Sequence, residues 1–115
     1  MADDVAVTVV MPAFDAHDTV ARAIASLLAQ TRPDWEAILV SDDGSDYAAT
    51  LAAAGIRDPR IRHVASGGVA TGCARARNVA LPLARGHFLT RLDADDEFAP
   101  ERLARLLPLV EAHGA

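Results

Sequence analysis

The sequence predicts an α/β fold: a doubly wound, mainly parallel sheet of about four strands with helices on both faces. Apolar, β-branched runs recur at residues 5–11, 35–40, 61–64 and 87–92. Segments of helical period separate them, and each run opens into a polar, acidic or glycine-rich loop. The resulting β-α-β-α-β-α-β-α alternation, with no repeat and no low-complexity linker, implies parallel strands joined by right-handed crossovers.

Each element has its own local signal. "VAVTVVM" (5–11) is a near-continuous β-branched run, as expected of a strand covered on both faces, and Pro12 is expected to end it. Asp15 or Asp18 is expected to cap a helix with Val20, Ile24, Leu27 and Leu28 on its inner face. A turn around Pro33 leads into the second strand, "WEAILV" (35–40), where Trp35 is expected to pack rather than bind. A short helix over 47–54 follows, closed by Gly55. The third strand is short (61–64). A glycine-rich stretch, 67–72, then enters a helix over about 74–84 that Pro82 should end or kink. The fourth strand runs over 87–92. The last helix starts near Pro100, with Leu103, Leu106, Leu107 and Val110 inward and Pro108 as a kink.

Composition narrows the class. A chain of 115 residues is a single domain with a modest core, and 51% hydrophobic content excludes disorder. The net charge of −5 argues against nucleic acid or an anionic membrane as partner. Every basic residue is arginine; there is no lysine. One cysteine, Cys73, excludes an internal disulfide and is expected to be small, partly buried and unreactive. With no leader or membrane-span pattern, a cytoplasmic location is expected.

The chemistry concentrates where such sheets bind ligands, beyond the carboxyl ends of the strands. Asp15 follows the first strand, Asp42-Asp43-Gly44-Ser45 the second, and Asp93-Ala94-Asp95-Asp96 the fourth. If the first strand lies between the second and fourth, these carboxylates converge on one crevice. Such convergence costs repulsion unless a cation or a donor-rich ligand sits between them. A D-x-D at a strand end suits Mg²⁺ or Mn²⁺, which would bridge to a diphosphate and stabilise it as a leaving group. Arg75 and Arg77 could add charge-assisted contacts to the same anion, Arg77 being the better candidate. His17, His63, His87 and His113 show no ligand spacing. The 67–72 stretch has neither the lysine nor the position of a phosphate loop. Asp46 reads as a local turn or cap residue.

"VVMPAFDAHDTVARAIASLLAQTRPDWEAILVSDDGSD" together with "GCARARNVALPLARGHFLTRLDADDEFAPERL" resembles the N-terminal half of family 2 glycosyltransferases, which have the Rossmann-like GT-A fold. The likeness runs from about Val7 to Leu107 in the family's order. It implies a nucleotide-sugar donor, most simply a UDP-sugar, and inverting transfer to an acceptor hydroxyl. Pro12, Phe14 and Asp15 would lie against base and ribose, Asp43 would accept a hydrogen bond from the base, and Asp42 would support that loop. Arg77 would lie on the nucleotide side, Asp93 would face the ribose, Asp95 would hold the metal, and Asp96 would assist it. Phe14 and Asp15 replace the usual tyrosine and asparagine, Ala80 replaces a common glycine, and the loop after Ser45 is one residue short. In the family the catalytic base comes from the C-terminal half, so no residue of this chain is expected to be catalytic.

Two other readings stay in view. A receiver-like phosphoacceptor domain has this length and layout but needs a lysine and a fifth strand that the sequence lacks. A degenerate, non-catalytic nucleotide-binding or interaction module would share every motif above. An uncovered fourth strand, with Phe88, Leu89 and Leu92, is also expected to favour self-association along the sheet edge.

Overall fold

The computed structural model describes residues 5–112. Four strands, β1 (Val7–Ala13), β2 (Trp35–Ser41), β3 (Ile61–Ala65) and β4 (Phe88–Arg91), form one parallel sheet in the order β3-β2-β1-β4. The helices are α1 (Val20–Leu28), α2 (Tyr47–Ala53), α3 (Cys73–Ala80) and α4 (Arg102–Ala112), with a 3₁₀ turn over Leu81–Leu83. Chain order runs outward from β1 to β2 and β3, then returns to place β4 on β1's other side. That reversal is the topological switch point at which ligands bind in open α/β sheets.

Strand parity explains the two-sided core. Val7, Val9, Met11 and Ala13 of β1 and Trp35, Ala37 and Leu39 of β2 bury one face against α1, α2 and α4. Val10, Ile38 and Val40 bury the other face against Ala76 and Ala80 of α3. Trp35 is packed as expected, with the Arg60 guanidinium 4.0 Å from its ring centroid. A buried carboxylate anchors the amino-terminal end of the sheet. Glu36 accepts from Thr8 Oγ1 (2.7 Å), the Arg85 amide (2.6 Å) and Arg62 (3.2 Å). Burial alone would raise the Glu36 pKa, but these donors outweigh it and the net shift is downward. Thr8 Oγ1 also accepts from the Gly86 amide at 2.9 Å. Gly86 lies so close to β1 that a Cβ there would sit 2.5 Å from the Thr8 nitrogen.

Several sequence expectations need correction. Pro12 does not end β1, which continues to Ala13. The β1–β4 pairing stops at Val10↔Arg91, so Pro12 withholds its donor only where β4 has already left the ladder. Neither Asp15 nor Asp18 caps α1; Thr19 is the N-cap and makes no side-chain cap bond. Leu28 is exposed because the buried stripe of α1 is Val20, Ala23, Ile24 and Leu27, and Leu28 falls at its far edge. The third helix starts one residue early and gives way at Ala80 to the 3₁₀ turn containing Pro82. The last helix begins at Arg102, not Pro100, with Leu103 and Leu107 buried and Leu106 half-buried. Val110 and His113 fall outside the side chains described. Asp46 caps α2 by accepting from the Ala49 amide at 3.2 Å.

The segment after β4 descends along α1 and is fastened to it. The Phe98 amide donates to Ser26 Oγ (3.1 Å), Gln30 Nε2 to the Ala99 carbonyl (2.7 Å), and the Leu103 amide to Gln30 Oε1 (3.1 Å). Ser26 and Gln30, one helical turn apart, thereby fix the course of the chain just beyond the acidic cluster.

Candidate functional site

An open crevice of about 610 Å³ lies over the carboxyl ends of β1 and β2 and beside the exit of β4. Its walls are the β1 exit (Pro12 to Ala16, with Thr19), Asp42, the segment Ala70–Gly72–Cys73, and Asp93–Ala94–Asp95. The three polar clusters therefore meet around one space, because β1 is flanked by β2 and β4. A volume of this size accommodates a nucleotide-sized ligand.

Of the two adjacent aspartates after β2, only Asp42 lines the crevice. Both lie in the bend just past β2, and their side chains take different partners. Asp42 is buried; its Oδ1 accepts from Ser66 Oγ and Thr71 Oγ1 (both 2.6 Å) and its Oδ2 from the Gly72 amide (3.1 Å). The Asp42 carbonyl also accepts from the Ala70 amide at 2.8 Å. The Ser66 and Thr71 hydroxyls hold its carboxyl well below the usual carboxylate range, against the opposing effect of burial. Asp42 thus organises the glycine-rich segment into a crevice wall, and Oδ2 keeps acceptor capacity. Gly72 begins α3 at φ 96°, a left-handed conformation that suits glycine alone.

Asp43 stands behind the crevice, on the α2 side. Its Oδ2 accepts from the Asp15 amide (2.8 Å) and Tyr47 Oη (2.6 Å), and its Oδ1 from the Ser45 amide (2.9 Å) and Ser41 Oγ (3.2 Å). Burial would raise its pKa; the Tyr47 hydroxyl and the Asp15 and Ser45 amides outweigh that and hold it well below the usual range. Phe14, at 54% exposure, forms part of the crevice wall, and Asp15 beside it has φ 51°.

The acids after β4 come close together. One carboxylate oxygen each from Asp93, Asp95 and Asp96 lie within 4.8 Å of one another. Asp93 and Asp95 face the crevice, while Asp96 borders a separate surface hollow with Phe98 and Arg102. Asp93 pairs with Arg91 at 3.3 Å. Oxygen-only, carboxylate-rich and solvent-accessible, the trio fits Mg²⁺ or Mn²⁺ chemistry and not that of a softer metal. Among the described residues no histidine joins it.

The two arginines of α3 border different spaces. Arg75 is exposed and donates through Nε to the Ser66 carbonyl (3.0 Å), which braces the crevice wall. Arg77 lines a neighbouring cavity of about 400 Å³ with Val10, Leu89 and Arg91, separated from the crevice by Cys73. Cys73 is exposed, contrary to the expectation of partial burial, and borders both spaces. Ser66 and Thr71 carry the crevice wall but have no motif of their own. Their only signal in the sequence was the glycine spacing around them.

An open parallel sheet with its polar loops gathered at the switch point defines a Rossmann-like α/β domain with its ligand crevice there. The Glycosyl transferase family 2 profile matches residues 8–115, and the chain belongs to that family. It is 40% identical over 109 residues to the succinoglycan biosynthesis protein ExoO of Rhizobium meliloti (strain 1021), covering 95% of this chain and 31% of that protein. It is 37% identical over 101 residues to the UDP-Glc:alpha-D-GlcNAc-diphosphoundecaprenol beta-1,3-glucosyltransferase WfgD of Escherichia coli, covering 88% of this chain and 39% of WfgD. The chain thus spans about a third of the length of these curated relatives. The fold matches S. aureus TarS 1-349 in complex with UDP-GlcNAc (TM-score 0.81, 22% identity, 95% of this chain and 32% of that one). It also matches the mannosyltransferase PcManGT from Pyrobaculum calidifontis in complex with GDP-Man and Mn²⁺ (TM-score 0.72, 22% identity, 90% and 31%). Among the described residues no helix is long and apolar enough to cross a membrane.

Proposed function

We propose that this chain forms the donor-binding portion of an inverting glycosyltransferase that uses a nucleotide-diphospho-sugar, a UDP-sugar in the first instance. The observation that carries the reading is the convergence of Phe14, Asp42, Asp93 and Asp95 on one crevice at the switch point. Phe14 and Pro12 offer an apolar face to the base. The open acceptor position on Asp42 Oδ2 suits a base that presents a ring N–H, as uracil does, and disfavours one that presents only an acceptor there. Asp43, which the resemblance puts against the base, stands beside Asp42 at the β1 exit. Asp93 faces the ribose, and Asp95, with Asp93 and Asp96 beside it, holds a divalent ion against the diphosphate. When bound, that ion supplies charge neutralisation for the departing diphosphate.

The relatives support the donor class. One is named for UDP-Glc, and structural neighbours hold UDP-GlcNAc or GDP-Man with Mn²⁺. Because the chain spans about a third of its relatives' length, the acceptor site and the general base are assigned to sequence that corresponds to their remaining two thirds. Arg77, in its separate cavity, is not placed on the nucleotide in this reading.

The test is calorimetric titration with UDP, with and without Mn²⁺, on the wild type and on Asp95→Asn and Asp42→Asn. Metal-dependent binding that is lost in Asp95→Asn and weakened in Asp42→Asn is expected. A folded chain that binds no nucleotide under any of these conditions would identify a degenerate module instead.

A further inference from the structure

Ser26, inside α1, and Gln30, just past its end, are polar side chains buried against the segment that follows the acidic turn. Serine is a weak helix former whose hydroxyl competes with the backbone, so a buried one inside a helix needs a use. Its proton goes to the Ala23 carbonyl at 2.6 Å, which leaves its lone pairs for the Phe98 amide at 3.1 Å. Gln30 works at both ends of its amide. Nε2 donates to the Ser26 carbonyl (3.0 Å) and the Ala99 carbonyl (2.7 Å), while Oε1 takes the Leu103 amide (3.1 Å). The Thr31 amide adds a bond to the Pro100 carbonyl at 2.9 Å. Capping of α4 accounts for the Leu103 bond alone, since Phe98, Ala99 and Pro100 lie ahead of that helix.

The acids are suspended between this fastening and the sheet. Upstream, the Leu92 amide donates to the Val10 carbonyl at 3.0 Å, which ties the chain to β1 directly before Asp93. Downstream, Phe98 is tied to α1, whose Val20, Ala23, Ile24 and Leu27 are set in the main core. Between the two anchors the Asp96 amide donates to the Asp93 carbonyl at 2.9 Å and closes the acids into one turn. Residues 93–97, held at both ends, thus keep one oxygen from each of three carboxylates within 4.8 Å of the others, against their mutual repulsion.

We propose that Ser26 and Gln30 are positioning residues for the divalent cation: by fixing residues 98–103 to α1 they set the spacing of Asp93, Asp95 and Asp96. This rests on the donor-site reading above. Neither side chain touches the ion; both act through the backbone of the segment behind the acids. A held spacing discriminates among ions by size, so it favours Mn²⁺ over the larger Ca²⁺, and loosening it narrows that preference.

The experiment titrates Mn²⁺ and, separately, Ca²⁺ into wild type, Ser26→Ala, Ser26→Thr and Gln30→Met in the presence of excess UDP. Loss of a group that holds metal ligands in place lowers metal affinity by about tenfold to a hundredfold. Mn²⁺ affinity is expected to fall by about tenfold in Ser26→Ala and Gln30→Met, and Ca²⁺ affinity by less, so that the ratio of the two narrows. Ser26→Thr, whose hydroxyl can make the same bond to the carbonyl three residues back, should keep the wild-type ratio. Should Gln30→Met or Ser26→Thr fail to fold, Ser26→Ala, which removes one oxygen and suits a helix, carries the test. Equal losses for both ions would show a general structural role and overturn the proposal. So would unchanged Mn²⁺ affinity in a folded Ser26→Ala. Wild type that takes up UDP but no Mn²⁺ would leave the nucleotide reading standing and overturn the positioning role. Wild type that takes up neither would remove the donor-site reading itself, and the positioning role with it.

Discussion

Gly86→Ala should loosen the fold where β4 is keyed to β1. The new Cβ would lie 2.5 Å from the Thr8 nitrogen, 2.6 Å from the Val7 carbonyl carbon and 2.8 Å from Thr8 Oγ1. Two of these atoms are backbone of a strand paired on both sides, so β1 cannot retreat, and the 84–87 connection must move instead. Overpacking of this kind costs about 1–3 kcal/mol. The same movement lengthens the Gly86–Thr8 hydrogen bond, now 2.9 Å, for about 1 kcal/mol more. Against this stands about 0.4–1 kcal/mol from a stiffer unfolded chain. The net loss is about 2–3 kcal/mol, or a fall in Tm of about 10 °C for a chain of this size. Urea and thermal unfolding, followed through the fluorescence of Trp35, measure it directly. Gly44→Ala is the control, since a Cβ at that position would meet nothing within 4 Å and only its φ of +76° is penalised. A Gly86→Ala protein no less stable than Gly44→Ala would refute the claim that this contact sets the β1–β4 spacing.

Three further outcomes follow from charge. Asp42 and Asp43 are held below the ordinary value of 3.8, so their contribution is present above that pH and is lost as the pH falls through and below it; Asp34, Asp58 and Glu36 act in the same sense. The urea midpoint should therefore drop steeply below about pH 4, and a flat profile from pH 7 to 3 would contradict it. Burial and the hydrogen bond to Asp43 raise the Tyr47 pKa above 10.0, so its contribution is complete below that pH and is lost as the pH rises past its folded value. As the chain's single tyrosine, it can be followed by ultraviolet absorbance, and a midpoint at or below 10.0 would refute the contact. Arg22→Ala should change stability by less than about 0.5 kcal/mol, because the Arg22–Glu97 pair is more than half exposed at both ends.

Much of this was legible in the sequence, and the gaps have physical causes. Alternating apolar runs and helical periods gave the sheet, its parallel sense and the switch-point crevice, because burial on two faces leaves a strong pattern. The acids at Asp93 and Asp95 were legible as well, since four carboxylates in five positions need a structural reason. Less legible was the choice between Asp42 and Asp43. The resemblance put Asp43 against the base, but both aspartates lie past the end of β2, so which one borders the crevice depends on the course of the bend after Ser41. Pro12 misled because its effect depends on whether the neighbouring strand still runs alongside. Cys73 misled because it starts α3 at the rim, where a small apolar side chain stays exposed. Glu36 was not legible, since a lone glutamate in a strand gives no hint of the three residues, Thr8, Arg62 and Arg85, that donate to it from distant segments.

The fastening of the acidic segment to α1 makes the crevice mechanically lopsided. Behind Asp95, Ser26 and Gln30 tie residues 98–103 to a helix whose buried face is set in the main core, so that bank cannot shift without moving α1. On the opposite bank, Ser66, Ala70, Thr71 and Gly72 all bond Asp42, and Ser66 is held further by the Ser41 carbonyl and by Arg75. A ligand of unexpected width would thus be accommodated by the glycine-rich bank around residues 70–72, while the acidic bank keeps its place.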